Sequence, residues 1–258
     1  MRKLFITILT ILLLFPLASS PAYSIAIKAN HLQKKFTLIS REKESGAERW
    51  RSTITGKTLK HEGETFIYLE AIGEEGNLKD ESHKTWKSTS YSYLADGKII
   101  PYSVKVKINN HQGEITDDIE IFYDRKNKKA ICRINDKHEE FDINGNIADK
   151  QTFAIVMMAF PFKGKTMEKY SLLSYEPKLY QLEVRRRGIE NINVNGREIE
   201  CYKLEMVFNL GFLNIFDLFL PKFYLWYETA PPHYFVRYEG LENGLWTPYV
   251  LVEAIIHE

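Results

Sequence analysis

Seven histidines, two cysteines and 34 carboxylates are the side chains of this 258-residue sequence with the most obvious chemistry. His31, His61, His83, His111, His138, His233 and His257 are scattered, and no two share the spacing that puts ligands on one face of a helix or strand. His138-Glu139-Glu140 is the densest group. Neighbours on a strand point to opposite faces, so a surface hairpin accounts for it better than a metal site. The chain contains no Gly-x-Ser-x-Gly elbow, no Ser-x-x-Lys, no His-Glu-x-x-His and no phosphate-cradling glycine loop. Carboxylate pairs such as Asp117/Asp118 and Glu74/Glu75 stand in polar, turn-like stretches, without the apolar setting that raises a catalytic pKa. The expectation is a protein without catalytic residues, metal or cofactor. One basic run, Arg185-Arg186-Arg187-Gly188, puts Arg185 and Arg187 on one face of a strand and Arg186 on the other. It is either a two-residue clamp for a phosphate or carboxylate, or a solvated strand end paired with Glu183 and Glu190.

The elements that must carry these residues are mostly strands. Aromatic residues make up 13% of the chain, with 15 Tyr, 15 Phe and 4 Trp, and this composition favours strands over helices. Period-two patterns recur: Tyr102, Val104, Val106 and Ile108; Ile119, Ile121 and Tyr123; Tyr180, Leu182 and Val184; Tyr202, Leu204, Met206 and Phe208. Asp96-Gly97, Asn144-Gly145 and Asn195-Gly196 are hairpin signals, because both residues of each pair tolerate positive φ. These features predict a mainly β fold, an antiparallel curled sheet or half-open β-barrel of ten to twelve strands. From Asp149 to Phe160 the rhythm breaks, and helix formers followed by Pro161 predict one principal helix, a buried strand being the alternative. That helix is apolar almost all round, so the sheet must wrap it. The crowded apolar stretch Leu210 to Leu220 suggests a second, short amphipathic helix, with ordinary core packing as the alternative.

Arg2 and Lys3 precede an apolar run from Leu4 to Phe15, a Pro16 break and the small-residue end Ala22-Tyr23-Ser24. This is the layout of a secretory signal peptide over residues 1–24, leaving residues 25–258 as a single exported β-barrel-like domain in the periplasm or outside the cell. No later apolar run is long enough to span a membrane. The sequence has 35 Lys or Arg against 34 Asp or Glu, and its net charge of +1 gives no reason to expect a nucleic-acid partner. Cys132 and Cys201, both in expected strands, would form a disulfide in an exported protein if their strands approach, and otherwise remain buried thiols.

The helix Gln151 to Phe160, the Pro161-Phe162-Lys163-Gly164 turn after it, the Tyr180 to Val194 strand running into Asn195-Gly196, and the Tyr202 to Met206 strand occur in a familiar order. With Phe223-Tyr224-Leu225-Trp226-Tyr227-Glu228 and Tyr234-Phe235-Val236-Arg237-Tyr238-Glu239 as a penultimate hairpin, the chain resembles the bacterial envelope proteins of domain-of-unknown-function family 3108 (DUF3108). The resemblance implies an exported half-open β-barrel around a helix, similar in architecture to the lipoprotein carriers LolA and LolB. It implies no catalytic residues.

Two non-enzymatic functions follow, with a hydrolase as a third and weaker reading. The first is a periplasmic carrier of an apolar, lipid-like or acyl-like ligand, held by Phe153, Val156, Met157, Phe160, Phe162, Phe212, Phe216, Phe219 and Trp226. The second is an envelope structural or assembly factor that docks a partner protein through an apolar rim. A void behind Phe153 to Phe160 would favour the carrier, and a filled core with an apolar patch outside would favour docking.

Overall fold

The computed structural model describes residues 27–61, 64–76, 80–209, 221–243 and 247–257. The expected signal peptide and the apolar stretch with Phe212, Phe216 and Phe219 lie outside these residues. The first series is a meander of eight strands: β1 (Lys35–Glu42), β2 (Glu48–His61), β3 (Glu64–Glu75), β4 (Lys84–Ala95), β5 (Lys98–Asn109), β6 (Ile115–Asp124), β7 (Lys129–Ile134) and β8 (Lys137–Asp142). A second series follows: β9 (Asn146–Asp149), β10 (Met167–Leu173), β11 (Leu179–Val194), β12 (Arg197–Phe208), β13 (Phe223–Glu228), β14 (Phe235–Leu241) and β15 (Tyr249–His257). The last strand pairs antiparallel with the first, Leu38 opposite Ala254. That pairing joins the two series into one sheet, running from β8 to β1 and then from β15 down to β9.

The described sheet thus has fifteen strands where ten to twelve were expected. The surplus comes from strands without alternation. All but one of the β8 side chains are exposed, and β9 is four residues long and mostly buried. The pair β9 and β10 is parallel, a departure from the antiparallel expectation. The sheet is open, and its two edges overlap instead of pairing. Val104, Ile121 and Cys132 on the inner face of β5 to β7 pack with Ile147 of β9 and Leu173 of β10.

Turn chemistry sets much of the register. Asp96 and Gly97 both take positive φ between β4 and β5, as do Asn195 and Gly196 between β11 and β12. Asn144-Gly145 does not make the expected hairpin. Gly145 has φ +76°, but β8 ends one edge of the sheet and β9 starts the other, so the turn launches a crossover. Two bulges change which residues face inward. Between β4 and β5 the pairing shifts from Tyr91 with Ser103 to Ser92 with Pro101, leaving Tyr102 as the extra residue. Tyr102 therefore leaves the face of Val104 and Val106, with which its spacing had grouped it, and joins the outer rings Phe66, Tyr93 and Phe122. In β11 a shift between Arg186 and Gly188 flips the alternation, so Leu182 and Val184 face the main core while Ile192 and Val194 lie on the outer face with Trp226.

The helix is shorter than its sequence pattern suggests. Asp149 ends β9, α1 (Phe153–Val156) is a single turn, and a 3-10 turn (Met157–Ala159) completes it. The start is delayed because the Asp149 carboxylate accepts the Gln151 and Thr152 amides, and the Asp149 amide donates to Thr152 Oγ1 at 3.2 Å. The end comes at Phe160, extended at ψ 137° ahead of Pro161.

Candidate functional site

Inside the curl, α1 and its continuation form a plug. Phe153, Val156, Met157, Phe160 and Phe162 are all buried, and they pack with Leu69, Leu182, Leu204 and Tyr227. The Phe162 ring stacks on Tyr202 with centroids 4.8 Å apart and an interplanar angle of 19°. Polar groups hold the plug at both ends. Tyr227 donates to the Ala154 carbonyl at 2.9 Å, and the Arg186 guanidinium donates to the Phe162 carbonyl. At the amino-terminal end Asp149 accepts the hydroxyls of Tyr123 at 2.9 Å and Thr152 at 2.8 Å. Burial raises the Asp149 pKa, with Thr152 and Tyr123 opposing the shift. This carboxylate is fully enclosed and bonded to its own chain. The interior behind Phe153 to Phe160 is therefore packed with side chains.

Trp226 is not brought to this group. On β13, Leu225 and Tyr227 face the plug and Trp226 faces out, under the tip of the β11–β12 hairpin, where its indole donates to Glu190 at 2.6 Å. Cys201 sits in the same outer cluster, whereas Cys132 lies in the inner one beside β9. Both thiols are free and buried, and burial pushes their pKa values up, to about 11 for Cys132 and about 12 for Cys201. The arginine run pairs off: Arg185 with Glu183 at 2.6 Å, Arg187 with Glu205, and Arg186 with the plug. Among the described residues no three His, Cys, Asp or Glu side chains converge to hold a metal ion.

A cleft of about 610 Å³ opens elsewhere, at the rim where the β4–β5 and β6–β7 turns approach each other. Tyr93, Tyr102 and Phe122 of its wall belong to a ladder of rings from four successive strands, which Phe66 of β3 continues. Phe66 and Tyr93 are direct cross-strand partners with centroids 4.4 Å apart. Tyr93 meets Tyr102 at 5.2 Å, and Tyr102 meets Phe122 at 5.3 Å. The last two contacts are steeply tilted, at 74° and 79°, the edge-to-face arrangement that aromatic quadrupoles favour. Phe122 is left 40% exposed, and Leu94 and Ile100 extend the apolar lining. Glu64, Asp124, Arg125 and Lys126 form the polar border.

The charges on that border differ in how they are satisfied. Asp124 accepts the Asn127 backbone and side-chain amides at 3.0 and 2.8 Å, which with Lys126 lower its pKa. Arg125 has no carboxylate or hydrogen-bond partner for its guanidinium among the described residues. The cleft wall takes enough of its hydration to lower its pKa, and Tyr93 acts in the opposite sense. Tyr93 itself is raised, first by burial and then by Tyr102 and Glu64. Sequence reasoning missed this site. The rings of the ladder lie 27, 9 and 20 positions apart along the chain, and only the register with the Tyr102 bulge lines them up.

No protein-family model matches the chain, and no curated protein matches it. Among solved structures, the chain is similar to a β-barrel-like protein of the domain-of-unknown-function family DUF1849 from Brucella abortus, at 8% identity and a TM-score of 0.50, over 88% of this chain and 99% of that one. It also matches the hypothetical lipoprotein YmcC from Escherichia coli at 11% identity and a TM-score of 0.32, over 89% of each chain. A Bacteroides fragilis protein with a YmcC-like fold matches at 10% identity and a TM-score of 0.36, over 88% of this chain and 96% of that one. The first of these likenesses is one of fold alone. The chain has a β-barrel-like architecture; the expected membership of DUF3108 is not shown by any family model, and the fold-level neighbour belongs to DUF1849 instead.

Proposed function

We propose that the chain is an exported, non-enzymatic binding protein of the cell envelope that takes an apolar, lipid-like ligand in the aromatic rim cleft. The amino-terminal Arg2/Lys3 and apolar run, with the DUF3108 resemblance, support export and the envelope. The observation that carries the reading is the ring-lined cleft itself, whose volume falls within the roughly 300 to 1,000 Å³ usual for small-molecule sites.

Magnitudes favour the rim over the interior. A ligand entering behind the plug would have to displace Phe153, Val156, Met157, Phe160 and Phe162, each worth about 1.5 to 3 kcal/mol of burial. The total, on the order of 10 kcal/mol, exceeds the roughly 8 kcal/mol of a micromolar complex. A second reading, docking of a partner protein, is supported by the continuation of the outer apolar face beyond the cleft, through the Tyr68–Tyr91 pair at 5.1 Å to Ile72, which is 55% exposed.

Titration with a fluorescent long-chain fatty acid tests the reading through two variants. Phe122→Ala should weaken binding several-fold at little cost in stability, because the ring is half in water. Met157→Ala should lose about 2 to 5 kcal/mol of stability and leave binding by the folded fraction intact. The reverse pattern places the ligand inside, and absence of binding to the unaltered protein favours docking.

A further inference from the structure

We infer that the rim cleft selects a long-chain monoanion, with a carboxylate head on Arg125 and the chain laid along Tyr93, Tyr102 and Phe122. This rests on the reading of the cleft as the apolar ligand site and adds the chemistry of the ligand's polar end.

The argument starts from the charges. Lys126 stands beside Asp124, which is already held by Asn127. Arg125 lines the same cleft as the rings, has neither a carboxylate nor a hydrogen-bond partner for its guanidinium among the described residues, and is the border cation that interacts with Tyr93. A guanidinium presents paired N–H donors matched to the two oxygens of a carboxylate. Beside an aromatic wall such a pair loses less to water than it would in the open. The border charges balance, Arg125 and Lys126 against Glu64 and Asp124, so negative charge on a ligand beyond what meets Arg125 is opposed by both carboxylates. A phosphate monoester, at about −1.5 to −2, would bring excess negative charge toward Glu64. A carboxylate brings the least negative charge that still meets Arg125. An acyl chain suits the remainder of the lining, since Leu94, Ile100, Tyr102 and Phe122 offer apolar surface.

The test compares a fluorescent long-chain fatty acid, the matching long-chain alcohol and a lysophosphatidic acid on the full chain. The unaltered protein should bind the acid about tenfold or more tightly than the alcohol, the ratio expected of one charge-assisted contact. Arg125→Gln should bring the acid down to the level of the alcohol and leave the alcohol unchanged. Arg125→Lys should recover part of the preference, as a charge without the fork. Arg125 has no internal partner to lose, so the thermal midpoint should stay where it was. Equal affinity for acid and alcohol, unchanged in Arg125→Gln, overturns the head-group assignment and leaves the apolar cleft standing. Tighter binding of the lysophosphatidic acid than of the fatty acid overturns the monoanion. Failure of all three probes to bind the unaltered protein overturns the underlying reading instead.

Discussion

Asp149 is a carboxylate sealed from water and given four hydrogen bonds, two from amides and two from hydroxyls. Its task is to fix the junction of β9 and α1. Its burial nevertheless raises its pKa, so the ionised form is the less favoured one in the folded state. For an acid raised on folding, the stabilising contribution is complete below the unfolded pKa, about 4, and fades as pH rises through the folded value. Asp149→Asn removes that ionisation while its oxygen still accepts the amides and its nitrogen donates to the Tyr123 and Thr152 hydroxyl oxygens. The stability of Asp149→Asn relative to the unaltered protein should therefore increase as pH rises from about 4 toward neutrality, read from urea midpoints. A pH-independent difference would show that Asp149 titrates alike in both states. Asp149→Ala, by contrast, orphans the buried donors at about 1 to 3 kcal/mol each.

At the scale of elements, the position of each piece depends on a few close approaches. The amino-terminal 3-10 turn (Ala29–Leu32) rests on Gly56 of β2, where a Cβ would overlap the Leu32 carbonyl oxygen. Gly56→Ala should detach this turn, exposing Leu32 and costing about 1 to 3 kcal/mol, with faster amide exchange over residues 30–33. Unchanged exchange there would contradict the contact. Much of the fold was legible beforehand, because β6 alternates cleanly from Ile119 to Tyr123 and Asp96-Gly97 and Asn195-Gly196 carry their own turn geometry. Strand β8 was legible only as a surface hairpin around His138-Glu139-Glu140, since Lys137-His138-Glu139-Glu140 is wet on both faces and bears no period. The faces of Tyr102 and Ile192 were hidden for another reason: a bulge reverses parity, and it is a property of the pairing. The apolar run Phe153 to Phe160 was readable as buried, but whether it lined a void or filled one depended on how tightly the sheet curls. Trp226 was grouped with that run, although alternation with Leu225 and Tyr227 already put it on the other face.

The whole molecule is an open sheet that manages its edges instead of closing. The β8 edge is protected by Lys137, His138, Glu139, Glu140 and Asp142, charges that discourage another strand from adding to it. The β9 edge is covered by the inner faces of β5 to β7. With both edges blunted and the interior filled by its own plug, this architecture offers a ligand its rim and its outer face. On the proposed reading, the residues that meet the ligand come from hairpin ends, where β4, β5 and β6 present their rings and the β6–β7 turn presents Arg125. The most direct test is a long-chain fatty acid bearing a nitroxide at its tail, titrated into isotope-labelled protein while amide signals are followed. The expected result is selective broadening at residues 93–102 and 122–126, with residues 153–162 remaining sharp. Broadening concentrated at residues 153–162 would put the ligand under the plug and contradict the rim site.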